Sequence, residues 1–345
     1  MAYTGINKST DYFNTKLYSG TGSSNAITGV GFQPDLTWIK ARSHNYSHCL
    51  IDAVRGVGTT ISSDGTGAAY SSSTEITSFD SDGFTLGTDS GVNNGSHTFV
   101  SWNWKAGTTS GITQGGASIT PTAYSFNQTA GFSIIKYTGT GSAATVPHGL
   151  NAVPKTIWIK KTSGSESWGN YHVSLGSTHF VQFNTTGASS DNAVFWNDTD
   201  PTSSVFTINT DAGVNGSGQT YIAYCFAEKT GFSKFGQYTG NGNTNGPFNY
   251  CGFKPSLVIF KKTNDVGDWQ MTDDKRVGYN PDNYYLQCNS NGAEQTTNII
   301  DLVSNGFKIR GDNSNGWNKS GSTYIYMAFA KAPLVGSNNV PCTAR

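Results

Sequence analysis

Charge is scarce in this chain. Of 345 residues only 13% are Asp, Glu, Lys or Arg, and the 22 basic and 22 acidic residues cancel. That is about half the charged share of ordinary soluble domains. Without a basic excess there is no long-range field to attract nucleic acid or an anionic membrane surface, so neither is expected as a partner. Glutamate occurs only as Glu75, Glu166, Glu228 and Glu294. No carboxylate pair recurs that would serve as the acid and base of a glycosidase. There is no Gly-x-Ser-x-Gly elbow, and no Lys-Ser/Thr follows the Gly-Thr-Gly segments. No catalytic residue and no enzymatic activity are expected.

Cysteine is also sparse. Cys49, Cys225, Cys251, Cys288 and Cys342 are odd in number and widely spaced, which excludes a full disulfide framework and the close pairs of zinc or redox motifs. His44 and His48 are four apart but lie in a polar, irregular segment, so no metal pair is expected of them. No metal or cofactor is expected at all. The start of the sequence has neither a basic segment nor an apolar one, so no signal peptide is read. No run approaches the roughly 18 apolar residues that span a bilayer.

Glycine and aromatic residues fill the gap, with 42 Gly, 8 Trp, 17 Tyr and 19 Phe. Rings of that size bury large areas and rarely sit in solvated coil. A folded, turn-dense β protein is expected, with a surface of hydroxyls and amides typical of proteins that work outside cells. A virion protein, made in the host cytoplasm and released by lysis, reconciles such a surface with the missing export signal; a mature fragment of a longer precursor would do so too.

Four patterns recur three times in the same order. The first is Tyr18-Ser-Gly-Thr-Gly22, Tyr137-Thr-Gly-Thr-Gly141 and Tyr238-Thr-Gly-Asn-Gly242, where glycine would let a strand reverse. The second runs from Pro to Lys over a β-branched and aromatic stretch: Pro34 to Lys40, Pro154 to Lys160 and Pro255 to Lys261. The third is Gly83-Phe-Thr-Leu86, Val205-Phe-Thr-Ile208 and Gly306-Phe-Lys-Ile309, alternating as a half-buried strand does. The fourth comprises Gly91-Val-Asn93, Gly213-Val-Asn215 and Gly316-Trp-Asn318, each leading into an apolar strand. The reading is all-β: three tandem β-sandwich (jelly-roll-like) repeats at 1–107, 131–230 and 231–332. A linker at 108–130 and a tail at 333–345 complete the division.

Gly31-Phe-Gln-Pro-Asp-Leu-Thr-Trp-Ile-Lys40, Asp52-Ala-Val-Arg-Gly-Val-Gly58, Ser78-Phe-Asp-Ser-Asp-Gly-Phe-Thr-Leu-Gly87 and Trp102-Asn-Trp-Lys-Ala-Gly107 resemble a repeated domain of uncharacterised function. That domain is found in virion and tail-fibre proteins of marine, cyanophage-like bacteriophages. The Arg-Gly-Val-Gly element is not evident in the second and third repeats. The resemblance implies a virion structural protein displayed on the particle surface, as a tail fibre, tail component or capsid decoration, in contact with other virion proteins.

Two further readings concern partners. Trp168 and Trp269 lie in polar segments, Trp196 and Trp317 beside turn residues, and Tyr279, Tyr284 and Tyr285 cluster in the third repeat. Exposed rings there would stack on a host-surface glycan, as in a glycan-binding adhesin or a carbohydrate-binding module of a secreted protein. The same residues would equally suit packing between repeats or subunits. Self-association as a homotrimer is the expected assembly.

Overall fold

A computed structural model describes residues 5–311, 316–332, 334–335 and 341–342. The chain is all-β, as read from its alternating segments. The helical elements among the described residues are short: the 3-10 turn Ser9–Asp11 and the one-turn helices Ser90–Asn93, Ala193–Trp196 and Ala212–Asn215. No helix among them is long and apolar enough to cross a membrane.

The first repeat builds two antiparallel layers. The larger has six strands in the order Phe13–Ser19, Thr98–Trp104, Leu36–Ala41, Cys49–Asp52, Thr59–Ile61 and Tyr70–Ser71; the smaller comprises Asn25–Ile27, Gly83–Leu86 and Ile76–Asp80. The second repeat follows the same plan with five strands against two. In the third, strand Asp282–Gln287 pairs with both layers, so they merge into one sheet of eight strands. The segment 108–130, read as a linker, is part of the second repeat's packing. Its strand Ala123–Asn127 extends the second repeat's sheet, and Ile119 is buried in that repeat's core. Ser125 Oγ donates to Asp35 of the first repeat over 2.8 Å, so this joint is fixed.

Side chains on a strand alternate between faces, and here both faces of the large sheets are covered. In Thr98–Trp104, Val100, Trp102 and Trp104 point into one cluster while Phe99 enters another. In Thr220–Ala227, Ile222, Tyr224 and Phe226 join that first cluster while Tyr221, Ala223 and Cys225 pack within the second repeat. In Thr323–Ala330, Ile325, Met327 and Phe329 join it as well, while Tyr324, Tyr326 and Ala328 pack within the third. Each repeat thus has its own core, and a fourth core lies where the three large sheets meet. Trp38, Trp102, Trp104, Trp158, Trp168 and Trp269 are all in it. A ring of this size removes about 150–250 Å² from water, worth roughly 4–6 kcal/mol at about 25 cal/mol per Å².

The first and fourth sequence patterns are two halves of one joint. Asn93, Asn215 and Asn318 are fully buried. Each accepts through Oδ1 from the hairpin's N–H: Thr21 at 2.9 Å, Thr140 at 2.7 Å and Asn241 at 2.9 Å. Each donates through Nδ2 to two carbonyls, Ser23 and Gly87, Ser142 and Asn209, or Asn243 and Gly311. The pattern tyrosines add a second tie, with Tyr18, Tyr137 and Tyr238 donating to the carbonyls of Val92, Val214 and Trp317. The approach is so close that a Cβ on Gly20, Gly139 or Gly240 would lie 2.0, 2.4 or 2.3 Å from a carbonyl oxygen of the facing loop. The next glycines, Gly22, Gly141 and Gly242, take positive φ of 69°, 73° and 65°, the conformation that favours glycine.

Candidate functional site

The junction of the three repeats is built from residues at matching positions. His48, Trp168 and Trp269 stand four residues before Asp52, His172 and Asp273, the last residues of strands Cys49–Asp52, Gly169–His172 and Trp269–Asp273. Each backbone N–H donates to a side-chain oxygen of its own repeat: Asp64, Asn184 or Asn289. Each ring then reaches into a neighbouring repeat. Trp168 Nε1 donates to Ser62 O over 2.9 Å, Trp269 Nε1 to Gln182 O over 2.8 Å, and His48 Nε2 to Gln287 O over 3.0 Å. The second repeat thereby binds the first, the third binds the second, and the first binds the third.

A backbone ring runs in the opposite direction. Ala69 N–H donates to Thr162 O, Ser189 N–H to Thr263 O and Glu294 N–H to Arg42 O, at 3.0, 2.8 and 2.8 Å. Equivalent donors meeting equivalent acceptors around a closed circuit is the contact pattern of a threefold ring. The last of these contacts is reinforced by an ion pair between Arg42 and Glu294 at 2.9 Å.

Buried charge is concentrated at this junction. The lysines that close the Pro-to-Lys pattern, Lys40, Lys160 and Lys261, are fully buried. Their ammonium groups donate to backbone carbonyls. Lys160 reaches Thr66 O of the first repeat at 2.9 Å, and Lys261 reaches Thr186 O of the second at 3.2 Å. Burial pulls all three down to about 8. Asp52 and Arg55 pair at 2.5 Å, and Asp273 and Arg276 pair at 2.7 Å. In both cases the guanidinium also donates to a carbonyl, Leu50 O or Met271 O. Each aspartate then receives a donor from another repeat: Tyr224 Oη on Asp52 at 2.7 Å, Trp102 Nε1 on Asp273 at 3.1 Å. The second repeat has His172 at this place, whose Nε2 donates to Tyr326 O of the third over 3.1 Å.

Arg-Gly-Val-Gly does not recur, but Asp52 and the Arg55 that opens that element in the first repeat have counterparts in the third, Asp273 and Arg276. Their i, i+3 spacing was the available signal; the intervening Asp-Lys in place of Ala-Val concealed it. The structural lysines were visible as a repeated position, but burial of a charge cannot be read from spacing.

The seven candidate aromatics do not form one exposed platform. Trp168, Trp196, Trp269, Trp317 and Tyr285 are at most 7% exposed, so their rings offer no face to a sugar. Trp168 and Trp269 belong to the junction, Trp196 to the second repeat's core, and Trp317 and Tyr285 to the third's. Tyr284 is half-buried. Tyr279 alone among the seven is freely exposed, at 74%. Cys49, Cys225, Cys251 and Cys288 are free thiols, all buried. Burial raises each, Cys225 and Cys251 to about 12, which leaves them as unreactive thiols at neutral pH.

The fold and this junction define an all-β sandwich protein whose three sheet pairs close on one shared core. The chain belongs to the family described as Domain of unknown function (DUF7483), which matches residues 8–333. The match runs through all three repeats as one unit, in keeping with the core they share. No curated protein and no solved structure matches the chain.

Proposed function

We propose that the protein is a structural component of a bacteriophage particle, displayed at its surface, and that it works as a single-chain threefold body. The observation that carries this reading is the closed circuit at the junction. Buried Lys160, Lys261, Arg55 and Arg276 and six of the eight tryptophans are committed to holding three lobes in fixed relation, and a rigid display unit requires that. The charge-poor composition, rich in hydroxyls and amides, suits a molecule exposed outside cells. The sequence resemblance to virion proteins points the same way.

The aromatic stock that suggested a homotrimer is spent within one chain. The proposed unit is therefore one chain seated on a threefold or sixfold position of the particle, where closed symmetry is common. A mass-spectrometric inventory of particles from the encoding phage should contain the protein. Light scattering of the purified chain should give one copy's mass, 36.8 kDa. Absence from the particles defeats the virion reading, and a stable trimer in solution defeats the single-chain unit.

A further inference from the structure

The third repeat carries a cleft on its outer layer that the junction does not use. It is an open cleft of about 510 Å³, lined by Thr244, Asn280, Asn298, Asp301 and Arg310 among others. That volume lies within the range of about 300–1,000 Å³ in which proteins hold small ligands. Arg310 and Asp301 form an ion pair on the cleft wall, with side chains 37% and 11% exposed. Arg310 Nε and Nη2 both donate to Asp301 Oδ2. The pair cancels its own charge while setting a planar donor edge beside an acceptor. The wall is braced from behind: Trp317 Nε1 donates to Arg310 O over 2.7 Å. Asn280 is locked to Leu302 by two hydrogen bonds of 2.9 Å.

Arg310 has no counterpart in the other repeats. At the matching positions after Gly83–Leu86 and Val205–Ile208 the other repeats place Gly87 and Asn209. Exposed aromatic rings gather in the same repeat. Tyr279 precedes Asn280, lines an adjoining hollow with it and is 74% exposed. Phe248 and Tyr250, at 47% and 59%, lie on strand Asn245–Tyr250, which pairs with the strand bearing Arg310.

We infer that this cleft binds a neutral saccharide. An uncharged sugar needs donors and acceptors side by side for its vicinal hydroxyls, which the Arg310–Asp301 pair and the Asn298 amide provide. Its apolar C–H face needs an exposed ring, and Tyr279, outside the cleft itself but next to its wall residue Asn280, is the nearest exposed ring in sequence to serve it. The paired charges cancel, so the wall offers no net attraction to a carboxylate and an acidic sugar gains nothing over a neutral one. The inference is independent of whether the protein is displayed on a particle.

The test uses the full chain on an array of immobilised oligosaccharides, some of neutral hexoses and N-acetylhexosamines, others sialylated or uronic. It is paired with saturation-transfer NMR using glucose, galactose, mannose and N-acetylglucosamine at millimolar concentration. Binding to neutral members is expected, with at least a tenfold loss of affinity in the double variant Tyr279→Ala, Asn298→Ala. Both positions are at the surface, so the melting temperature should not move. No signal in either assay, binding unchanged in the double variant, or preference for the acidic saccharides would overturn the assignment.

Discussion

Three buried histidines define the acid side of the stability profile. His48 Nδ1 accepts from Trp38 Nε1 at 2.8 Å, His148 Nδ1 from Leu150 N–H at 3.2 Å, and His172 Nδ1 from Ser174 N–H at 3.1 Å. Each ring donates from Nε2 to a carbonyl, so each is the neutral tautomer and a second proton would displace an existing donor. Burial, the largest cause, lowers His48 to about 3 and His148 and His172 to about 4. The unfolded chain therefore binds more protons than the folded one below about pH 6.5. Stability is fully present above that value and is lost as pH falls toward the folded values. Between pH 7 and 5.5 the loss should be roughly 1 kcal/mol per histidine, measured by urea denaturation at each pH. A flat profile over that interval would contradict the buried neutral rings. The asparagine pins give a second residue-scale expectation. Replacing Asn215 with Ala orphans one N–H and two carbonyls in the buried hairpin, and should cost about 2–4 kcal/mol. The Asn-Gly-rich loops were legible as turns, whereas the asparagine holding each loop was not, because its partners come from a hairpin some seventy residues earlier, as the separation of 72 between Thr21 and Asn93 shows.

At the scale of elements, strand identity and order of signatures followed from alternation and turn residues. The second face of each large sheet did not. A strand such as Leu36–Ala41, buried along its whole length, has the same local sequence whether its far side meets solvent, a partner or another repeat. Trp168 and Trp269 were open to two readings, exposed rings or packing between repeats, because Ser and Glu, or Asp and Gln, flank them; the second holds, each indole crossing to a carbonyl of the adjacent repeat. The two Asp–Arg clamps allow a comparison between elements. Arg276 keeps a second carboxylate, Glu294, at 3.3 Å, whereas Arg55 has the Tyr224 hydroxyl at 3.2 Å. Asp52→Ala strands a buried guanidinium and should cost about 3–5 kcal/mol. Asp273→Ala should cost less, and equal losses in thermal denaturation would show that Glu294 does not compensate.

For the whole molecule, the shared core makes the repeats interdependent. Each was expected to bury a core of its own, and each does, but the inward faces bearing Trp38, Trp102 and Trp104, or Trp158, Tyr224 and Phe226, are covered only by the other two. Differential scanning calorimetry of the full chain should show one cooperative transition. Residues 1–107 produced alone should aggregate or bind a hydrophobic dye. Separate transitions for the repeats, or a well-behaved isolated repeat, would contradict the interdependence.

The circuit that joins the first repeat to the third also governs how the chain comes off the ribosome. Arg42 meets Glu294 across a separation of 252 residues. At about 5–20 residues per second, roughly 13–50 s pass between synthesis of the two. During that time the indole-bearing face of the first repeat has left the exit tunnel with its last covering element still untranslated. The waiting surface is a natural client for a holding chaperone, so yield in a heterologous host should depend on chaperone supply and growth temperature more than on codon choice.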